Sequence, residues 1–241
     1  MKIALIGYGK MGKTIEAIAL ERGHDIVAKV NSNLPVNAAD LSFADVAIEF
    51  SRPELAPMHI RHCADIGLPV VVGTTAWLDE LTYLEDYVKN NNGTMLYSSN
   101  FSIGVNIFFE INKHLAKLMT GRIDYKAGIT EIHHLQKLDA PSGTAITLAN
   151  GILENNPDYL SWVLGEGKSP HTNDNQLGVT SLREPDVPGT HTITYASEVD
   201  TITISHEAHN RQGFALGAVV AAEWVFGKKG VYTMSNVLNL Q

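Results

Sequence analysis

Apolar residues in the first hundred positions fall in short runs separated by longer amphipathic stretches. KIALI (2–6), DIVAKV (25–30), DVAIEF (45–50), LPVVVGTT (68–75) and GTMLYSSNFS (93–102) read as five strands with their exit loops. Runs this short, apolar at nearly every position, suit strands buried on both faces. Helical stretches lie between them. Residues 13–22 form the first, and Gly23 ends it. The helix after the third run opens with Pro53 near its first turn. Residues 77–91 carry Leu78, Leu81, Leu84 and Val88 along one face. Strands alternating with helices predict a parallel sheet covered on both sides.

The pattern changes after about residue 104. A helix over 103–119 leads into YKAGITEIHH (125–134), which reads as a strand, followed by a loop and a helix. Residues 156–176 are polar and rich in Pro, Gly and Asn, and read as a long excursion. GVTSLRE, HTITYAS and TITISHE then follow without intervening helices, which predicts a mixed or antiparallel sheet. A last helix, about 211–226, precedes GVYTMSNVLNL. The expected fold is α/β: a Rossmann-like dinucleotide-binding domain over 1–104, completed by about 211–241, and a second, α+β domain with a mixed sheet over 105–210.

Composition narrows the function. The chain has 241 residues, 44% of them hydrophobic and 18% charged, enough for a buried core and too apolar for disorder. A formal net charge of -8 argues against nucleic acid as a partner, although local cations remain free to meet a small anion. A single cysteine, Cys63, rules out an internal disulfide and fits a reducing compartment. The opening MKIALIGYGKMG runs straight into a glycine turn, unlike a signal peptide, and the apolar run 214–226 is interrupted by Glu223. The expectation is a soluble cytoplasmic protein without a membrane span.

Gly7, Gly9 and Gly12 complete G-x-G-x-x-G between a strand and a helix, with Tyr8, Lys10 and Met11 between them. The first glycine permits the turn, the second admits a pyrophosphate, and the third lets helix and strand pack closely. An NAD-preferring site places an acidic residue at the end of the second strand; this chain has Asn31 there, which leaves NADH and NADPH both open. Gly73, Thr74 and Thr75 follow the fourth strand, and Ser98, Ser99, Asn100 and Phe101 the fifth, on the sheet edge where ligands bind in such folds.

The second domain carries EIHHLQKLDAPSGTA (131–145). His133 suits a proton donor, while His134 and Lys137 supply positive charge. Pro141 suits the first turn of a helix, whose positive end would present the N–H groups of Ser142, Gly143 and Thr144 to a carboxylate. Asp139 either orients Lys137 or caps that helix. These residues predict hydride transfer to an anionic, dicarboxylate substrate. No metal site is expected, because no third ligand has suitable spacing to the histidine pair, and HEAHN (206–210) lacks the H-E-x-x-H spacing. His206 and His209 read as structural, and His59, His62 and Cys63 as packing or surface residues.

The stretch 131–145 strongly resembles the signature of the dihydrodipicolinate reductase family. GYGKMG, VVVGTT, SSNFSIGVN, ISHEAHNRQGFALGAVVAAEWV and GVYTMSNVL extend the resemblance over nearly the whole chain. It implies NADH- or NADPH-dependent reduction of a cyclic imine dicarboxylate to tetrahydrodipicolinate, on the diaminopimelate route to lysine. It implies His133 as proton donor, Lys137 as the second catalytic group, and His134, Ser142, Gly143 and Thr144 as substrate contacts. Residues 7–12, 73–75 and 98–101 match its cofactor segments. It further implies a homotetramer built through the second domain, and hinge closure between domains. The segments 156–176 and REPDVPGTH (183–191) do not map onto it. The rival readings are a related oxidoreductase with another substrate and a non-enzymatic dinucleotide sensor; the His133/Lys137 pair argues against the sensor.

Overall fold

The computed structural model describes residues 1–37, 39–166 and 175–240, which divide into two compact units: the described residues of 1–103 with 211–240, and those of 104–210. The first unit holds a six-stranded parallel sheet built from β1 (Lys2–Ile6), β2 (Asp25–Val30), β3 (Val46–Glu49), β4 (Val70–Val72), β5 (Thr94–Tyr97) and, from the end of the chain, β11 (Gly230–Tyr232), in the order β11-β5-β4-β3-β1-β2. Its core explains the unbroken apolar runs. Ala4, Ile6, Ala47, Val70 and Val72 face α2 (Ala56–Asp65) and α3 (Leu81–Asn90), where Ile60, Cys63, Leu84 and Val88 are buried. Ile3, Leu5, Val46, Ile48 and Val71 face the other way, against Ile15 and Ala19 of α1 (Lys10–Glu21) and the alanine-rich side of α6 (Gln212–Val225).

Two helix starts differ from the expectation. The first helix begins at Lys10, directly after Gly9, because the glycine loop turns into it without a linker. The second begins at Ala56, not near Pro53: the Arg52 carbonyl accepts hydrogen bonds from the Leu55 and Ala56 N–H groups and forms a turn first, so Pro57 takes the early helical position. The 77–91 stretch is a short 3₁₀ turn, Leu78–Glu80, followed by α3.

The second unit is a mixed five-stranded sheet under two helices, α4 (Ile103–Met119) and α5 (Gly143–Asn155). The strands are β6 (Lys126–His133), β7 (Ser161–Glu166), β8 (Gln176–Arg183), β9 (Gly189–Ala196) and β10 (Thr201–Ala208), in the order β10-β9-β6-β8-β7. β7 and β6 run parallel to β8, while β9 runs antiparallel to β6 and β10. The excursion expected over 156–176 therefore contains an edge strand, β7; its residues 167–174 lie outside the described residues. Ile129, Leu177, Val179, Ile193 and Tyr195 form the core with Phe108, Leu148 and Ile152 of the helices. Among the described residues no helix is long and apolar enough to cross a membrane.

In the first unit one contact fixes the return of the chain end. A Cβ on Gly217 of α6 would lie 1.6 Å from the Phe101 carbonyl oxygen, so only glycine allows this helix to approach the loop after β5. Gly217→Ala is expected to destabilise the protein by about 3 kcal/mol or more in urea unfolding, because backbone must move to make room. A wild-type midpoint would show that helix and loop are not in such contact.

Candidate active site

The second sheet converts its core into a polar site by continuing the same alternation. On β6, Ile129, Glu131 and His133 share a face, since side chains two apart do. On β8, Val179, Ser181 and Arg183 do the same, and on β9, Ile193 and His191. The register sets these in cross-strand rows. Val179, Ile129 and Ile193 are neighbours in one apolar row. The next row is Ser181, Glu131, His191 and, on β10, His206. Arg183 pairs with His133 beyond it.

Glu131 is at the centre and is fully buried. Its Oε1 accepts from the Ser181 hydroxyl at 2.6 Å, and both carboxylate oxygens accept from the Ser142 N–H, at 3.0 and 3.2 Å. His133 Nδ1 stands 3.5 Å and His191 Nε2 3.6 Å from its Oε2, and Arg183 approaches to 3.9 Å. Burial pushes the carboxyl up, but His191, Ser142 and Ser181 outweigh that and bring it down to about 2. His133 is displaced downward as well, which for a basic group disfavours the charged form. Burial lowers it to about 4, with Glu131 opposing and the cations around it assisting. Its ring meets His191 edge-on, with centroids 5.1 Å apart, and its Nδ1 is buried without a hydrogen bond. The other nitrogen faces Gly189, where a Cβ would come within 3.0 Å of Nε2.

The loop after β6 supplies the remaining charges. Lys137 Nζ contacts both oxygens of the exposed Asp139 carboxylate, at 2.8 and 2.9 Å, so Asp139 orients the lysine and does not cap the helix. Arg183 pins this loop from β8: its guanidinium donates to the carbonyls of Lys137 (3.1 Å) and Asp139 (2.6 Å) and to Ser181 Oγ (2.8 Å). α5 starts after Pro141, not with it. Ser142 is the cap: its Oγ accepts from the Ala145 N–H and lies 3.2 Å from His191 Nε2. The buried Ser142 thus spends both its N–H and its hydroxyl inside the protein, while Gly143 is exposed and Thr144 half-buried at the helix start. His134 Nδ1 is buried without a hydrogen bond.

Glu131, Arg183 and His191 were not singled out in the sequence, although E-x-H and S-x-R place each polar pair on one strand face. His206, read as structural, joins the same row; its ring packs 6.1 Å from Phe108, and burial pushes its pKa down. Strand pairing supplies two donors beyond the adjacent histidines, against the expectation of no metal site: Glu131, His133 and His191 bring ligand atoms within 4.8 Å of one another. That carboxylate already accepts from Ser142 and Ser181 and stands beside Arg183, which makes the trio a charge network more than a metal cage.

In the first unit the glycine loop has the form that a dinucleotide requires. Gly7 has φ +96°, and a Cβ on Gly12 would strike the Gly7 carbonyl at 2.4 Å, whereas a Cβ on Gly9 would meet nothing. Gly9 also caps α1 without a side chain, so the N–H groups of Lys10 and Met11 end in an open, positive helix start. This backbone fits a pyrophosphate. The Tyr8 hydroxyl hydrogen-bonds Glu16, which also pairs with Lys29. Asn31 turns its Oδ1 onto its own loop, accepting from the N–H groups of Asn33 (2.8 Å) and Leu34 (3.2 Å). Thr74 Oγ1 accepts from the Ser51 N–H, Thr75 and Ser99 are exposed, and Ser98, buried Asn100 and buried Phe101 form a tightly hydrogen-bonded turn.

Residues 1–101 match the family model for dihydrodipicolinate reductase, N-terminus, and residues 104–238 that for its C-terminus. The chain is 49% identical over 239 residues to a 4-hydroxy-tetrahydrodipicolinate reductase of Christiangramia forsetii, covering 99% of this chain and 98% of that one. It is 30% identical over 266 residues to one of Acinetobacter baumannii, at 99% and 96% coverage. Among solved structures, a dipicolinate-bound dihydrodipicolinate reductase from Paenisporosarcina sp. TG-14 aligns with a TM-score of 0.77 at 22% identity, over 100% of this chain and 99% of that one. An amine dehydrogenase from Mycobacterium smegmatis aligns at 0.63 and 12% identity, over 100% and 96%, a likeness of fold.

Acid should act on the network in two stages. Between pH 6.5 and 4 the unfolded chain binds a proton at His133 that the folded chain does not, so stability falls as pH falls. Glu131 contributes stability above pH 4.5 that is lost between there and about 2. The expected slope is up to about 1.4 kcal/mol per pH unit for each proton. His133→Gln should flatten it between pH 6.5 and 4 and leave the lower stage in place, read by urea unfolding across pH. An unchanged slope would mean that His133 titrates as if solvated.

Proposed function

The chain belongs to the dihydrodipicolinate reductase family, and from that premise we propose that it reduces the cyclic imine dicarboxylate derived from 4-hydroxy-tetrahydrodipicolinate to tetrahydrodipicolinate. This is a step of the diaminopimelate route to lysine. The observation that carries the reading is the gathering of Arg183, His133 and His191 around the buried Glu131 carboxylate beside the start of α5, with Lys137 on the loop that Arg183 pins. The fixed positive charges of Lys137 and Arg183 suit a dianion, and the imidazole of His133 beside them is placed to pass it one proton.

The roles follow from position. One substrate carboxylate docks at Gly143 and Thr144, on the positive end of α5. The other meets Lys137, which leaves Asp139 for it; that pair is exposed on the aspartate side, so exchanging partners costs little. His134 borders the same loop as a further contact. Ser142 acts from behind, as cap and as donor to Glu131. Bound NAD(P)H supplies the hydride, held by residues 7–12, 73–75 and 98–101 of the first unit. Hydride addition pushes an electron pair toward the imine nitrogen, and one proton completes the reduction. His133 gives it from Nε2. A dianion at Nε2 and Glu131 at Nδ1 both favour the imidazolium before transfer, and burial favours the neutral ring afterwards.

Coenzyme choice rests on Asn31. Its acceptor oxygen is engaged by its own turn, so it does not grip the ribose hydroxyls as a carboxylate would, and it does not repel a 2′-phosphate. This supports use of both NADH and NADPH. A cytoplasmic homotetramer is part of the same reading; the outer strand β10, with Thr201, Ile202 and Thr203 exposed, offers a sheet surface for it.

The direct test is coenzyme oxidation at 340 nm, with substrate generated in place by a coupling synthase from pyruvate and aspartate semialdehyde. Turnover should depend on that synthase. His133→Gln should lower kcat about 10²–10⁴-fold, and Lys137→Ala should lose turnover and raise KM together. Full activity in His133→Gln would remove His133 from proton transfer. Asn31→Asp keeps one oxygen for the turn and offers the other, and should shift the NADH/NADPH ratio of kcat/KM toward NADH by about tenfold. An unmoved ratio would place the determinant elsewhere.

A further inference from the structure

A second buried polar cluster lies in the first unit, at the end of β3. Glu49, the last residue of that strand, is fully buried, and His59 of α2 is nearly so. His59 Nδ1 lies 3.2 Å from Glu49 Oε1. The Ser51 hydroxyl hydrogen-bonds the same oxygen and stands 3.2 Å from that nitrogen. Glu49 Oε2 is buried and has no hydrogen-bond partner among the described residues. Packing alone does not account for such a cluster: an apolar pair of equal volume would avoid desolvating the carboxylate.

The cluster grips both sides of Phe50. The Phe50 carbonyl oxygen lies 2.0 Å from where a Cβ on Gly7 would be, and its ring 2.1 Å from where one on Gly73 would be. The same ring sits 5.8 Å from that of Phe101. The Ser51 N–H donates to Thr74 Oγ1 at 2.8 Å. Residues 50 and 51 therefore touch the glycine loop, the Gly73–Thr75 loop and the 98–101 turn, which are the three segments assigned above to the dinucleotide.

We propose that Glu49, Ser51 and His59 form a positioning cluster that locks the segment after β3 and, through Phe50, sets the spacing of the three coenzyme loops. This rests on the dinucleotide reading of the first unit. The expected signature is loss of coenzyme binding that exceeds any loss of stability.

The test measures NADH affinity by tryptophan fluorescence quenching on the full chain, together with steady-state kinetics and thermal melting. Ser51→Ala, which leaves the Glu49–His59 pair in place, and His59→Leu should each raise the NADH Kd and KM about tenfold. KM for the dicarboxylate should stay within about twofold, and kcat at saturating NADH should fall much less than KM rises. Ser51→Thr and His59→Asn, which restore a donor at each place, should recover most of the affinity. A lowered melting temperature with unchanged NADH affinity in Ser51→Ala would overturn the proposal and leave a structural cluster only. If His59→Leu does not fold, Ser51→Ala decides alone. Wild-type protein that binds neither NADH nor NADPH would instead overturn the dinucleotide reading beneath it.

Discussion

The second unit is organised by the need to satisfy one charge. Glu131 occupies a core-facing position of β6, next in line to Ile129, where an isolated carboxylate would cost several kcal/mol. Its partners come from three other elements: the cap of α5, Ser181 and Arg183 of β8, and His191 of β9. Satisfying it thus fixes where α5 begins and how β8 and β9 meet β6. Arg183, held near that carboxylate, reaches on to the carbonyls of the 137–139 loop and so sets Lys137 as well. His133, the proton donor proposed above, is then flanked by groups whose positions were already decided by folding. Little reorganisation is left for the moment of reaction.

In the first unit the motif glycines answer to Phe50 as much as to a phosphate. Gly7 yields to its carbonyl, Gly73 to its ring, and Gly12 to the Gly7 carbonyl. Only Gly9 of the three in the motif faces open space. Two of the motif's three glycines are therefore accounted for by packing inside the protein, and Gly9 alone leaves room beside its backbone.

Local chemistry was legible in the sequence, and long-range register was not. KIALI and VVV announce strands buried on both faces because one period of apolar residues serves each face of the sheet. G-x-G-x-x-G and the His133–Thr144 run are contiguous, so each could be read in place. Glu131 lay inside that run, yet its importance depends on Ser181 and His191, which are distant in sequence and brought beside it only by strand pairing. The alternation signal was present, since E-x-H and S-x-R each put two polar groups on one face. Its meaning required knowing that the same face carries Ile129 and Val179. β7 was hidden for a different reason: a single edge strand, SWVLGE, is flanked by polar sequence that dominates its composition. The start of α2 was displaced because Pro53 and Pro57 both suit an early helical position, and only the turn at Arg52 chooses between them.

The path of the chain has a consequence for its synthesis. β1 to β5 emerge first, but one face of their sheet is covered by α6, and the edge beside β5 is completed by β11. Both come after the whole of residues 104–210. The second unit can therefore close on the ribosome while the first still exposes Ile3, Leu5, Ile48 and Val71. A domain that opens the chain is the last to finish, and a message truncated before residue 212 yields a complete second unit tethered to a sticky, half-covered sheet.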